Sequence, residues 1–230
     1  MLQIQPALTE QVQAGREQVA RIGRFLFDRH LTDAGGGNIS LRVGDIFCMS
    51  PTLAGQNKQW QLTPDDVLVV DSRGQILEGE GGLTREISVH FGLHERFGDY
   101  GRAVIHAHPR NLMVFACANL PMPPVMEATR KFGTTPVIEY APAHSPVLGE
   151  RIVATMRGRE AMIAKHAAGT IAPWHGLFLI GKNLPAALDA VERLDTNAYA
   201  IMMSQHLGAS PMLRAESAAM EAAIADFRPD

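Results

Sequence analysis

Apolar positions fall along this chain in two rhythms. Val12, Val19, Ile22 and Leu26 share one side of a helix that the pattern predicts from a Thr9 cap to about His30. Gly35-Gly36-Gly37 stops it, and Asn38–Val43 then alternates apolar and polar as a strand does. Further strands are expected at Asp45–Met49, Val67–Asp71, Ala103–His108, Val137–Tyr140 and Leu177–Ile180. Helical spacing returns between them, at about 84–97, 109–118 with Pro109 in its first turn, 145–156 and 184–206. Interleaved strands and helices without repeat or linker predict one α/β domain over 1–230, layered around a single sheet. Its core should run from about 10 to 206, with a helical tail over 207–230.

Composition narrows the class. With 230 residues, 46% of them hydrophobic, the chain can bury a substantial core. A net charge of −3 and the lack of a basic block argue against nucleic acid or an anionic membrane as partner. No apolar run reaches membrane-spanning length. Cys48 and Cys117 lie far apart in apolar stretches and read as buried thiols of a cytoplasmic protein.

Chemistry concentrates at His106-Ala107-His108, where a β-branched run stops at Pro109. Side chains two apart on a strand share a face, so both imidazoles converge at its end and offer half of a tetrahedral metal site. A third ligand can come from His175, which with Gly176 precedes the apolar run Leu177–Ile180. The alternative is a turn histidine. His90 and His94 are a rival pair, four apart on a helix, but Glu86 lies outside the H-E-x-x-H arrangement of zinc proteases. His90 is expected to face the sheet and His94 the surface, while His30, His144, His166 and His206 default to solvent or structural roles. Gly35–Asn38, Ser50-Pro51-Thr52 and Thr84-Arg85 all offer donors to an oxyanion, so a phosphorylated substrate fits.

Four motifs in order, Gly-Asn-x-Ser at 37–40, Glu-x-x-x-His at 86–90, His-x-His-Pro at 106–109 and His-Gly at 175–176, resemble the class II aldolase/adducin-head family. The likeness runs from about residue 10 to 206 and is greatest to fuculose- and rhamnulose-phosphate aldolases. It implies a three-layer α/β/α fold around a mixed, largely antiparallel sheet. It also implies a catalytic zinc on His106, His108 and His175, with manganese, cobalt or ferrous iron as alternatives. Glu86 becomes the acid/base carboxylate and an additional resting ligand. Gly37, Asn38, Thr52, Thr84 and Arg85 become the phosphate site. Tyr140 matches a tyrosine that acts from a neighbouring subunit, which implies a homotetramer with sites at its interfaces. The implied reaction is reversible cleavage of a ketose 1-phosphate to dihydroxyacetone phosphate and an aldehyde through a zinc-stabilised enediolate.

Two departures bear on the substrate. Arg85 stands where relatives carry a small hydroxyl residue, and suits a phosphate or a carboxylate. Leu53 replaces the glycine that follows the family's Thr-Pro-Ser, and the segment to Gln59 reads as an insertion. The same scaffold also supports sugar-phosphate dehydratases, pentulose-phosphate epimerases and decarboxylases of 3-oxo acid phosphates. Epimerases carry aspartate in place of Glu86. Iron- and oxygen-using relatives exist as well. A non-enzymatic adducin-head-like interaction domain would have lost ligands that this chain keeps.

Overall fold

The computed structural model describes residues 6–207 together with 220, 222 and 223. The expected tail over 207–230 lies almost wholly outside the described residues. Helix α1 spans Pro6–Asp28 and is followed by strands β1 (Asn38–Val43) and β2 (Ile46–Met49). A short α2 (Ala54–Lys58) leads to β3 (Leu68–Asp71) and β4 (Ile76–Glu78). Then come α3 (Ile87–Phe97), β5 (Ala103–Ala107), α4 (Leu112–Ala118), α5 (Pro146–Met156) and α6 (Glu160–Lys165). Strands β6 (Ala167–Ala172) and β7 (Gly176–Gly181) precede α7 (Leu184–His206).

All seven strands form one sheet, ordered β4-β3-β2-β1-β5-β7-β6, and every neighbouring pair is antiparallel. Among the described residues the one parallel element is an isolated bridge from Val137 to Ile171. Strand alternation sorts the core into two layers. Ile39, Leu41, Cys48, Val69, Ile105 and Leu179 face α1, α4 and α7. Val104, Phe178, Ile180 and Ala168 face the pair α3 and α5, and Phe47, Met49, Leu68 and Val70 extend that face. The fold is the expected α/β/α sandwich.

Several expectations are corrected. Thr9 lies inside α1, which is already helical at Pro6, so it does not mark the start of the helix. Residues 137–140 contribute only the bridge, because Pro136 and Pro142 flank them and limit ladder pairing. The sequence Ala-Ala-Gly-Thr-Ile-Ala of β6 has little strand propensity and becomes a strand by burial against β7. Cys117 is exposed, whereas Cys48 is buried.

Candidate metal centre and acid/base site

Three strands in the middle of the sheet carry the site. Register pairs Asn38 on β1 with His106 on β5, and His106 in turn with Phe178 on β7. All three side chains therefore leave the same face at the same level. The His106 ring stacks on Phe178 at 4.0 Å and 10°. His108 sits one residue beyond the strand and His175 one residue before β7, so both turn back toward His106.

The nitrogens of His106, His108 and His175 lie within 4.8 Å of one another, close enough to hold one metal ion. Their outer hydrogen bonds decide which nitrogens face inward. His106 Nδ1 donates to the Leu177 carbonyl at 3.0 Å, and His108 Nδ1 donates to Asp33 Oδ2 at 3.0 Å. A neutral imidazole has one N–H, so both Nε2 atoms present bare lone pairs, 3.1 Å apart. Two lone pairs at that separation repel, and a cation between them removes the repulsion. This pinning of tautomers by a carbonyl and a carboxylate is the arrangement that metal-bound histidines use. Burial holds His106 well below its ordinary pKa, at about 3, which keeps the ring neutral.

Glu86 enters from the other side, as the residue that opens α3. Its Oε1 lies 2.7 Å from His175 Nε2, and its Oε2 lies 3.4 Å from His106 Nε2. Asn38 Nδ2 donates to Oε2 at 2.7 Å. Burial opposes ionisation of Glu86, but the hydrogen bonds from His175 Nε2 and the Asn38 amide outweigh it and hold the carboxyl below its usual range. A helix N-terminus favours the same charge state.

Loops complete a cleft above these groups, lined by Gly35–Asn38, Pro51–Gly55, Thr84–Glu86, His144 and the three clustered histidines. Glycine is needed where the cleft wall meets the histidines. A Cβ on Gly36 would lie 2.0 Å from the His108 ring, and one on Gly176 would lie 2.7 Å from both the Ala107 carbonyl and His108 Cδ2. Leu53, His144 and Trp174 hold left-handed backbone around the same cleft, where such strain commonly collects. The segment that reads as an insertion forms α2 and sends Trp60 into the core, so Leu53, Ala54 and Gly55 become cleft wall.

The expected site residues thus converge, with one exception. Gly37, Asn38, Thr52, Thr84, Arg85, Glu86, His106, His108 and His175 all line the cleft, and Arg85 is exposed there. Tyr140 does not line the cleft of its own chain; it is exposed and packs edge-on against Trp174, with ring centroids 5.4 Å apart. His94 is corrected from surface to core, fully buried beneath β1. His144, read as solvent or structural, faces the cleft with Nδ1 3.9 Å from Glu86 Oε1. Asp33 escaped the sequence reading because its partner His108 lies 75 residues away. Its one local signal is the turn it makes by accepting the Gly35 N–H.

Comparisons with known proteins agree with this geometry. Residues 17–202 match the family model described as Class II Aldolase and Adducin N-terminal domain. An L-fuculose phosphate aldolase of Methanococcus maripaludis is 27% identical over 176 residues, covering 76% of this chain and 89% of that protein. A 3-oxo-tetronate 4-phosphate decarboxylase of Haemophilus influenzae is 25% identical, covering 80% of this chain and 85% of its own length. A solved L-fuculose 1-phosphate aldolase superposes with a TM-score of 0.75 at 24% identity, covering 93% of this chain and 97% of that one. Among the described residues no helix is long and apolar enough to cross a membrane. With its sheet order, its histidine cluster and a family match over most of its length, this chain belongs to the class II aldolase and adducin N-terminal domain family.

Proposed function

We propose that this protein is a metal-dependent lyase that reversibly cleaves a ketose 1-phosphate to dihydroxyacetone phosphate and an aldehyde. The observation that carries the reading is the position of Glu86, an ionised carboxylate set directly against a three-histidine cluster in which His106 and His108 turn bare nitrogens inward. A divalent cation on His106, His108 and His175, zinc by preference and otherwise manganese, cobalt or ferrous iron, supplies Lewis acidity at the substrate carbonyl.

The chain's own residues do the rest. Glu86 moves the proton at the carbon that is attacked or released, and Asn38 orients it. Gly37, Asn38, Thr52 and Thr84 offer backbone and side-chain donors to the phosphate, and Arg85 adds a cation at the same rim. In a homotetramer, Tyr140 from a neighbouring copy serves the hydroxyl of the aldehyde fragment. The substrate is a soluble metabolite, the compartment the cytoplasm, and the working unit one domain over the whole chain.

A second reading rests on Arg85. It is exposed in the cleft with no acidic partner among the described residues, and would suit a substrate carboxylate, as in decarboxylation of a 3-oxo acid phosphate. One experiment separates the two. Metal-loaded protein is incubated with dihydroxyacetone phosphate in heavy water and the carbon-bound protons are followed by NMR. Stereospecific exchange that disappears in Glu86→Gln is the expected result. No exchange in protein with confirmed bound metal overturns the aldolase reading and favours the decarboxylase.

A further inference from the structure

Behind Glu86, away from the cleft, lies a line of buried polar groups that the reaction above does not use. Asn38 Oδ1 is 2.5 Å from His90 Nε2, and His90 Nδ1 is 2.6 Å from Ser40 Oγ. Ser40 Oγ is in turn 2.7 Å from His94 Nε2. Ser40, His90 and His94 are buried between β1 and α3, with the His94 ring 4.9 Å from that of Phe47. The helical spacing of the two histidines and the position of Ser40 two residues after Asn38 place all four groups in one file.

The direction of every bond in this file follows from its end. An ionised carboxylate only accepts, so Asn38 must turn its NH2 to Glu86 and its carbonyl to His90. His90 Nε2 therefore carries the proton and Nδ1 is bare. Ser40 must then donate its hydroxyl proton to His90 Nδ1 and accept from His94 Nε2–H. That leaves His94 Nδ1 as a bare acceptor with nothing to accept, and it is one of the few buried side-chain atoms without a hydrogen-bond partner. The deficit falls on an acceptor, the less costly kind of buried orphan. The reverse polarity would aim the Asn38 carbonyl at a carboxylate and bury an unpaired N–H at His94. Burial holds His90 well below its ordinary pKa, at about 4, and His94 also well below, so both rings are neutral as the chain of single protons requires.

We propose that Ser40, His90 and His94 are positioning residues for Glu86, a one-way hydrogen-bond chain that locks the Asn38 amide with its donor face on the catalytic carboxylate. A purely structural role would be better served by apolar side chains, because a buried polar file stabilises only when nearly every member is satisfied. The polarity has a use at its other end. Asn38 released from His90 could flip and present its carbonyl to Glu86, pushing the carboxylate out of its place between His106 and His175. The inference rests on the reading of Glu86 as the acid/base group.

Two measurements test it. In full-length protein labelled with 15N in its histidines, the His90 ring should be a single Nε2–H tautomer in the wild type. Tautomers should mix in Asn38→Leu, which removes the carbonyl that holds the Nε2 proton. A mixed wild-type ring, or one unchanged in Asn38→Leu, overturns the chain whatever reaction the protein catalyses. The second readout is exchange of dihydroxyacetone phosphate protons by metal-loaded protein. His90→Leu should lower kcat about 10- to 100-fold with KM and metal content unchanged, the usual scale for groups that orient a reacting residue. His90→Gln, whose amide can still donate to Asn38, should recover most of the loss. Equal kcat in wild type and His90→Leu refutes the positioning role, whereas a wild type without exchange refutes the aldolase reading and leaves the tautomer result to decide the chain.

Discussion

Two histidine pairs flank the same carboxylate, one through His106 directly and the other through Asn38. His106 and His108, two apart at the end of β5, aim bare nitrogens at an open cleft. His90 and His94, four apart on α3, lie sealed under β1. Both spacings place two rings on one face, so spacing does not separate their roles. The hydrogen bond on each ring's far nitrogen does. Acceptors behind His106 and His108 take their protons outward and leave lone pairs for a cation. Asn38 and Ser40 thread the other pair into a line directed at Glu86.

The largest expected effect breaks the strand pair itself. His106→Ala should abolish stoichiometric metal binding and reduce turnover to background, while the protein stays folded; metal analysis beside circular dichroism checks it. Glu86→Gln should retain metal but lower kcat about 10²- to 10⁴-fold, the range of general acid/base catalysis. A fully active Glu86→Gln protein would sink the assignment of the base. Asp33→Asn keeps an acceptor for His108 Nδ1 but removes its charge, so metal affinity should fall about 10-fold. Competition with a chelator measures that loss.

The helix pair is sharpened by pH. His90 titrates near 6.5 when unfolded and about 4 when folded, so the unfolded chain holds more protons between those values. Stability is therefore complete above about pH 6.5 and falls as pH drops toward 4, by roughly 3 kcal/mol from this ring alone. Melting followed from pH 7 to pH 4.5 should show the decline, and His90→Gln should flatten it. The smallest effect concerns thiols. Cys117 should react with a thiol reagent in the native protein, and Cys48 only after unfolding. Burial pushes the Cys48 thiol up to about 12, which suppresses the reactive thiolate as well.

Much of this was legible in the chain. The 3.6-residue rhythm of α1, α5 and α7 and the period-2 rhythm of β1 and β5 are local properties, and their elements form where expected. Strand β6 was not legible, because an Ala/Gly-rich segment pairs only when β7 and the covering helices bury it. His-x-His needs no partner to be recognised, since the strand period alone converges its rings. His144 carries no local pattern, Asp33 only its turn with Gly35 and His94 only its helical spacing from His90, and each takes its place from an element distant in sequence.

The sequence by itself determined the alternating elements, the ligand types and the resemblance that joins them, because periodicity and side-chain chemistry act over a few residues. Only the tertiary structure decided which nitrogen of each histidine faces the cleft and that Asn38 stands beside both His106 and Glu86. It also decided that the cleft wall is built from Gly36, Gly176 and the α2 segment. Those outcomes depend on strand register and on hydrogen-bond partners far apart in the chain. A one-residue slip of β1 against β5 would turn Asn38 to the other face and leave the same sequence without its site.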